Sequence, residues 1–272
     1  MTKVLGTPID DARDDGRPVT VLLSDLHVKM DGGAALDLLR EALGRAAERA
    51  EATRVLILGD LFEFLTGPRQ LAVGAHREVV DALREAANAG VSLTVLRGNR
   101  DYMMDRAFER MSGARVVSGL RFALGGRPCL ALHGDELCLN DVPYQRSKHL
   151  LRHPVTRGVL RNLPLGVSLW LGRRVRKKSK MVVASGDQER FHPVAGALRD
   201  VYGLEVDLLV FGHIHLPARG RFEDRGEYCI LPAFEERGVH LEFEEGTLRY
   251  CGRGGEPLPD FPPRTFPELA AT

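Results

Sequence analysis

The 272-residue sequence is poor in cysteine and aromatic residues and carries almost no net charge. Its four cysteines, Cys129, Cys138, Cys229 and Cys251, show no CxxC spacing, which argues against a structural zinc site and indicates reduced thiols. A formal net charge of +1 gives no overall attraction to nucleic acid or to a membrane. No apolar run approaches the ~20 residues of a membrane span, and the N-terminus lacks the apolar segment of a signal peptide. We therefore expect a cytoplasmic protein.

A composition that is 44% hydrophobic and 28% charged is typical of a globular chain. Short apolar runs rich in β-branched residues predict strands, and stretches with apolar residues on one helical face predict helices. The predicted elements are strands at 19–25, 54–60, 91–99 and 206–215, helices at 34–50 and 76–90, a hairpin at 121–135, and short C-terminal strands. This alternation predicts an α/β fold whose partly parallel sheet is covered on both faces by helices.

The domain organisation follows from the distribution of polar segments. We expect a loose N-terminal extension over 1–18, a single domain over 19–251, and a Gly/Pro-rich tail over 252–272. Residues 142–186 stand out within the domain because they hold eleven Lys and Arg and no Asp or Glu, interleaved with leucines and with Trp170. We interpret this stretch as a basic, apolar helical lid suited to a membrane surface or an acyl chain. The alternative is a solvated basic face over ordinary core.

Side chains that bind metals follow five of the predicted strands. They are Asp25, His27, Asp60, Asn99, His133, His213 and His215. Because strand ends form the ligand-binding crevice of open α/β sheets, we expect these side chains to converge. A single histidine at a strand end is more often structural, and a lone "GD" or "GN" is often only a turn. Five such signals in order favour a metal site instead.

Seven protein ligands exceed what one tetrahedral ion takes, so the pattern predicts two metals. Imidazole, carboxylate and amide ligands suit Zn, Mn, Fe or Ni. Two ions bridged by one carboxylate are typical of hydrolytic sites that activate water for attack on phosphorus.

The motifs "SDLH", "GDLFEF", "GNRD", "LHGD" and "GHIH" together resemble the calcineurin-like metallophosphoesterases. The resemblance implies a four-layer αββα sandwich with two metals at the strand ends. Carried over by position, it implies one ion held by Asp25, His27 and His215, a second held by Asn99, His133 and His213, and Asp60 as the bridge. Asp135 would orient a ligand or a loop.

A narrower resemblance rests on "GNRD", "HGDELCLNDVPYQ" and "NLPLGVSLWLGRRVRKKSK". These stretches are similar to the UDP-2,3-diacylglucosamine pyrophosphatases of lipid A biosynthesis, which are peripheral on the cytoplasmic face of the inner membrane. That branch attacks the α-phosphorus, typically with Mn²⁺, and releases UMP and 2,3-diacylglucosamine 1-phosphate. The resemblance implies catalytic roles for Asn99 and Arg100, and substrate contacts from Asn99, Arg100, Asp141, Tyr144, Arg176 and Ser179.

These assignments have alternatives, in which the same residues have structural roles or the protein has another function. Arg100 could simply pair with Asp101, and Asp141 and Tyr144 could be a loop acid and a core aromatic. A metallophosphoesterase acting on another nucleotide or phosphodiester, or a scaffold without catalysis, would also fit the fold. Nucleic acid is not an expected partner, because Trp170 and Tyr144 are too sparse to serve as stacking platforms.

Overall fold

The computed structural model describes residues 2–12, 15–185 and 188–262, and the side chains of 178–189 lie outside that description. The strands are β1 (Lys3–Val4), β2 (Thr7–Pro8), β3 (Asp10–Asp11), β4 (Val19–Leu23), β5 (Thr53–Ile57), β6 (Ser92–Leu96), β7 (Arg115–Val117), β8 (Gly119–Leu124), β9 (Arg127–Leu132), β10 (Leu208–Phe211), β11 (Ala218–Phe222), β12 (Gly226–Ile230), β13 (His240–Glu244) and β14 (Thr247–Cys251). The helices are α1 (Ala34–Glu48), α2 (Gly74–Asn88), α3 (Arg106–Ser112), α4 (Val142–Arg152), α5 (Pro154–Asn162), α6 (Leu165–Ser185), α7 (Ala195–Tyr202) and α8 (Phe234–Arg237).

Two six-stranded sheets form the centre of the molecule. The first has the order β14-β13-β4-β5-β6-β7, and β4 to β7 run parallel. The second has the order β11-β12-β10-β9-β8-β3, and β9, β10 and β12 run parallel. Antiparallel neighbours extend each parallel set, with β13 beside β4 and β8 beside β9. The carboxyl ends of the parallel strands are the ends that matter for the site.

Strand side chains alternate between two apolar clusters, because successive residues of a strand point to opposite faces. In β5, Val55 and Ile57 pack with α1 and α2, whereas Leu56 packs between the sheets. In β10, Leu208 and Val210 join the cluster between the sheets, and α7 covers the outer face of the second sheet. The layers are helix, sheet, sheet and helix, which confirms the predicted αββα sandwich.

The N-terminal segment is more ordered than the loose extension that we expected. Strands β1 and β2 form a small hairpin, and β3 pairs in parallel with β8. Val4 and Ile9 are buried in the cluster that also contains α7. Their apolar side chains anchor a segment whose overall composition is polar. The first part of the C-terminal tail is also packed, because Leu258 N–H donates to the Tyr250 carbonyl at 2.9 Å. Residues 263–272 of the tail lie outside the described residues.

Three helices, α4, α5 and α6, make up the stretch predicted to be helical over 142–186. Helix α6 lies on the loop that follows β5, where Thr66 Oγ1 donates to the Ser168 carbonyl at 2.8 Å. None of the described helices combines the length and apolar character that crossing a membrane requires. The four cysteines are free, as expected.

Candidate metal centre

Side chains suited to metal binding follow five strands at the point where each strand ends. In chain order they are Asp25 and His27 after β4, Asp60 after β5, Asn99 after β6, His133 after β9, and His213 and His215 after β10. Three of these strands belong to the first sheet and two to the second. Because the carboxyl ends of strands from both sheets meet, these seven side chains, although distant in sequence, lie together and form the strand-end cluster.

Asp25 and Asp60 lie at the centre of this cluster. His215 Nε2 is 3.2 Å from Asp25 Oδ1, and His27 Nε2 is 3.7 Å from the same oxygen. Asp60 faces two different histidines, with Oδ2 3.3 Å from His27 Nε2 and Oδ1 3.6 Å from His133 Nε2. The ligand atoms of Asp25, His27 and His215 lie within 4.8 Å of one another, as do those of Asp25, Asp60 and His133. Two overlapping groups suit two neighbouring ions.

Asn99 and His213 complete the cluster around His133. The side-chain amide of Asn99 lies 3.1 Å from His133 Nε2. The ring of His213 lies 5.0 Å from that of His133, measured between centroids, and the His213 N–H donates to Asp25 Oδ2 at 2.8 Å. The structure therefore brings all seven predicted ligand residues together.

Two of the histidines are held so that Nε2 faces the cluster. Nδ1 of His27 lies 2.7 Å from Glu235 Oε1, and Nδ1 of His133 lies 2.8 Å from the Leu58 carbonyl oxygen. An acceptor at Nδ1 places the proton there and leaves the Nε2 lone pair for a metal. Glu235, on α8, carries no signal in the sequence, since it is 208 residues away from His27.

The backbone at the site adopts the left-handed conformation, which residues other than glycine rarely adopt. Five of the seven residues have a positive φ: Asp25 (56°), His27 (47°), Asp60 (50°), His213 (68°) and His215 (56°). This left-handed region costs ~1 kcal/mol or more per non-glycine residue, so the surrounding contacts must impose it. Hydrogen bonds between the strand-end loops, such as His27 N–H to the Asp60 carbonyl at 2.9 Å, do so.

The electrostatics of the cluster favour cations. Burial alone would lower the pKa of His133, but Asp60 and Asp25 outweigh it and raise that pKa to about 9. Burial would likewise raise the pKa values of Asp25 and Asp60, yet the nearby histidines hold both well below the usual range. Within the protein alone, the raised pKa values of His27 and His133 let these two imidazoles offset part of the carboxylate charge. Divalent ions would supply the same charge, and this set of nitrogen and oxygen donors fits them.

Comparison with known proteins agrees with this geometry. The sequence model of the calcineurin-like phosphoesterase family matches residues 19–217. The chain belongs to the calcineurin-like phosphoesterases. Members of this family bind a dimetal centre, and the candidate ligand groups of this phosphoesterase are those described above.

Curated relatives cover most of the chain. A UDP-2,3-diacylglucosamine hydrolase of Pseudomonas syringae pv. syringae is 35% identical over 83% of this chain and 92% of its own length. The protein of that name from Pseudomonas aeruginosa PAO1 is 31% identical over 84% of this chain and 96% of its own length. Among solved structures, the Escherichia coli phosphoesterase Yfce superposes with a TM-score of 0.43 at 19% identity, covering 86% of this chain and 93% of its own.

Arg100 lies beside the cluster of candidate ligand residues rather than in a surface ion pair with Asp101. Its Nε is 3.1 Å from Asp60 Oδ2, and its Nη1 is buried without a hydrogen-bond partner among the described residues. Asp101, the alternative partner, instead accepts the N–H groups of Leu61 at 2.7 Å and Gly98 at 2.8 Å. Asp101 thus shapes the turn that presents Asn99, a role that the sequence analysis missed.

The other predicted substrate residues lie on or beside the lid helices. Asp141 is the N-cap of α4 and accepts the Tyr144 N–H at 3.4 Å. The Tyr144 ring lies 6.4 Å from the His213 ring. Arg176, on α6, pairs with Glu63 at 3.2 Å. The side chain of Ser179 falls outside the described residues.

A second group of potential ligands, His240, Glu242 and Cys251, lies on β13 and β14. Here the guanidinium of Arg249 is 3.5 Å from Glu242 Oε1. The Arg249 guanidinium therefore already compensates negative charge in this group.

The close contact between strand-end loops yields a prediction. A Cβ added at Gly98 would overlap the backbone and side chain of Asp60, whereas one added at Gly44, exposed on α1, would meet nothing within 4 Å. We expect Gly98→Ala to lower metal content and to reduce hydrolysis about 100-fold by displacing Asp60. Gly44→Ala should keep both and gain roughly 0.5–1 kcal/mol of stability. Metal analysis and thermal unfolding check this, and equal behaviour of the two variants would contradict it.

Proposed function

We propose that this phosphoesterase hydrolyses UDP-2,3-diacylglucosamine to UMP and 2,3-diacylglucosamine 1-phosphate. A water oxygen bonds to the α-phosphorus, and the bond between that phosphorus and the bridging pyrophosphate oxygen breaks. The observation that carries the proposal is the cluster of seven ligand residues, four of them buried, with Arg100 Nη1 beside it. The substrate is proposed because curated relatives that are 31–35% identical carry the name UDP-2,3-diacylglucosamine hydrolase.

We further propose how the seven residues share two metals. Asp25, His27 and His215 would hold one ion, Asn99, His133 and His213 would hold the other, and Asp60 would bridge them. The bridging role is supported by the two oxygens of Asp60, which face different histidines. Mn²⁺ is the proposed metal because the family resemblance implies it, and mixed imidazole and oxygen ligands are compatible with it. When bound, the ions supply an activated water and neutralise phosphoryl charge.

Two arginines are proposed to bind the pyrophosphate. The planar guanidinium of Arg100 suits two phosphoryl oxygens at once, and it cannot act as a general acid near neutral pH. Burial and the nearby charge of Arg100 lower the pKa of Arg176. An anion between these two guanidinium groups would relieve their repulsion. Asn99 and Arg100 are the proposed catalytic residues, as the family resemblance implies.

Asp141 and Tyr144 are the proposed contacts to the rest of the polar headgroup, since both belong to the start of α4 and the Tyr144 ring lies near His213. Tyr144 is half-buried, and its hydroxyl donates to Asp135 Oδ2 at 2.5 Å. The contact proposed for Ser179 rests on family resemblance alone.

The lid has the surface expected of a membrane contact. Among the described residues, the exposed large apolar side chains all lie in or just before it: Leu139, Val142, Leu150, Val155, Val159, Val167, Trp170 and Val175. The Arg174 guanidinium lies 5.5 Å from the centre of the Trp170 ring. Basic groups beside exposed apolar ones favour an anionic lipid surface. We propose that the lid contacts the cytoplasmic face of the inner membrane and receives the acyl chains.

The proposed reaction is tested by hydrolysis of UDP-2,3-diacylglucosamine in ¹⁸O-water with manganese-loaded protein, followed by mass spectrometry. We expect ¹⁸O in UMP and none in the lipid phosphate, because the water oxygen bonds to the α-phosphorus. Label in the lipid phosphate would contradict the site of attack. Hydrolysis of an aryl phosphodiester without turnover of the lipid would contradict the substrate and support action on another phosphodiester.

The membrane contact is tested with vesicles that contain anionic lipid. Trp170 and Val159 are 58% and 60% exposed, whereas Leu171 on the same helix as Trp170 packs against the core. We expect Trp170→Ala with Val159→Ala to weaken vesicle binding about tenfold or more through lost apolar burial. Leu171→Ala should lower the thermal stability but keep vesicle binding. Cosedimentation measures both, and unchanged binding of the double variant would contradict the proposed contact.

A further inference from the structure

Two adjacent acidic residues, Asp135 and Glu136, are buried just after His133 at the end of β9. They are 0% and 2% exposed. Neighbouring carboxylates repel each other and lose hydration when buried, so they require partners. Helix α4 supplies them: Lys148 Nζ lies 2.7 Å from Asp135 Oδ2 and 3.8 Å from Glu136 Oε1, and Arg152 lies 3.3 Å from Asp135 Oδ2.

This acid pair joins α4 to the strand that carries His133. The Tyr144 hydroxyl donates to Asp135 Oδ2 at 2.5 Å, and the Gln145 side-chain amide donates to the Asp135 carbonyl at 2.8 Å. With these contacts the ring of Tyr144 is held 6.4 Å from that of His213. The position of α4, the first lid helix, is therefore set by contacts with Asp135 and Glu136, which come just after the strand-end residue His133 in the chain.

The N-terminal hairpin reaches the same acid pair. Thr7, in β2, is 2% exposed, and its hydroxyl donates to Glu136 Oε1 at 3.1 Å. The other oxygen, Glu136 Oε2, accepts the Gly134 N–H at 3.2 Å. Thr7 precedes residue 19, where the family match begins. A segment outside the family match thus supplies a hydrogen bond to the support of the lid.

We propose that the N-terminal hairpin is a positioning element of the active site, which acts through Thr7, Glu136 and Lys148 to hold α4 and Tyr144 in place for substrate binding. The effect of the hairpin on KM rests on the proposed function, whereas its effect on the amide exchange of α4 does not. Without the Thr7 hydroxyl, the one contact left to Glu136 Oε1 among the described residues would be Lys148 Nζ at 3.8 Å. Lys148 would then be drawn from Asp135 towards Glu136, and α4 would loosen.

The decisive variant is Thr7→Val, which keeps the side-chain volume and removes only the hydroxyl. Lys148→Met would remove the cation that contacts both buried acids, so it is expected to unfold the region. Thr7→Ser restores the hydroxyl, and Thr247→Val makes the same change at an exposed strand residue. The readouts are amide hydrogen exchange of α4, metal content, and KM and kcat for UDP-2,3-diacylglucosamine.

We expect Thr7→Val to speed the exchange of α4 about tenfold and to raise KM by a similar factor, as the loss of one hydrogen bond to a buried carboxyl group implies. Metal content and kcat should change less than twofold, and Thr7→Ser and Thr247→Val should match the wild type. Unchanged exchange would overturn the proposal, and so would faster exchange with an unchanged KM. If the wild type does not hydrolyse this lipid, the proposed substrate fails, and the exchange of α4 still decides whether the hairpin holds that helix.

Discussion

Acidic groups that are buried close together, and that therefore need compensating positive charge, are the constraint on which this site depends. Asp25 and Asp60 lie together between histidines, and Asp135 and Glu136 lie together just behind His133. The second pair is compensated by Lys148 and Arg152 from the protein itself. The first pair faces imidazoles whose Nε2 atoms are oriented towards it, so its natural partners are cations. His133 lies between the two pairs and so connects the strand-end cluster to the acid pair that holds α4.

The two stacked sheets make this concentration of charge possible. Each sheet contributes strands whose carboxyl ends meet, so the loops that follow can interlock by backbone hydrogen bonds. Interlocking forces Asp25, Asp60 and three histidines into the left-handed backbone region, at a cost in free energy that the rest of the sandwich must offset. Gly98 permits the close approach to Asp60 that any side chain would block. The strain therefore lies at the site, where the side chains must turn towards one another.

Much of this architecture could be predicted from the sequence, because the apolar strands and the polar residues at their ends are local signals. The hairpin around Gly125 and Gly126 was predictable for the same reason. Other features depend on contacts between distant residues and leave no local pattern. Glu235 contacts His27 across 208 positions, and Thr7 contacts Glu136 across 129. The N-terminal segment was expected to be loose because its composition is polar, although two buried apolar residues suffice to anchor it.

We propose that the strand-end cluster holds two metals bridged by Asp60, and electron paramagnetic resonance of the protein titrated with Mn²⁺ measures this directly. We expect two manganese ions per chain and a spectrum of exchange-coupled Mn²⁺, with the coupling lost in Asp60→Ala. One bound ion, or two ions with independent signals, in the wild-type protein would refute the bridge.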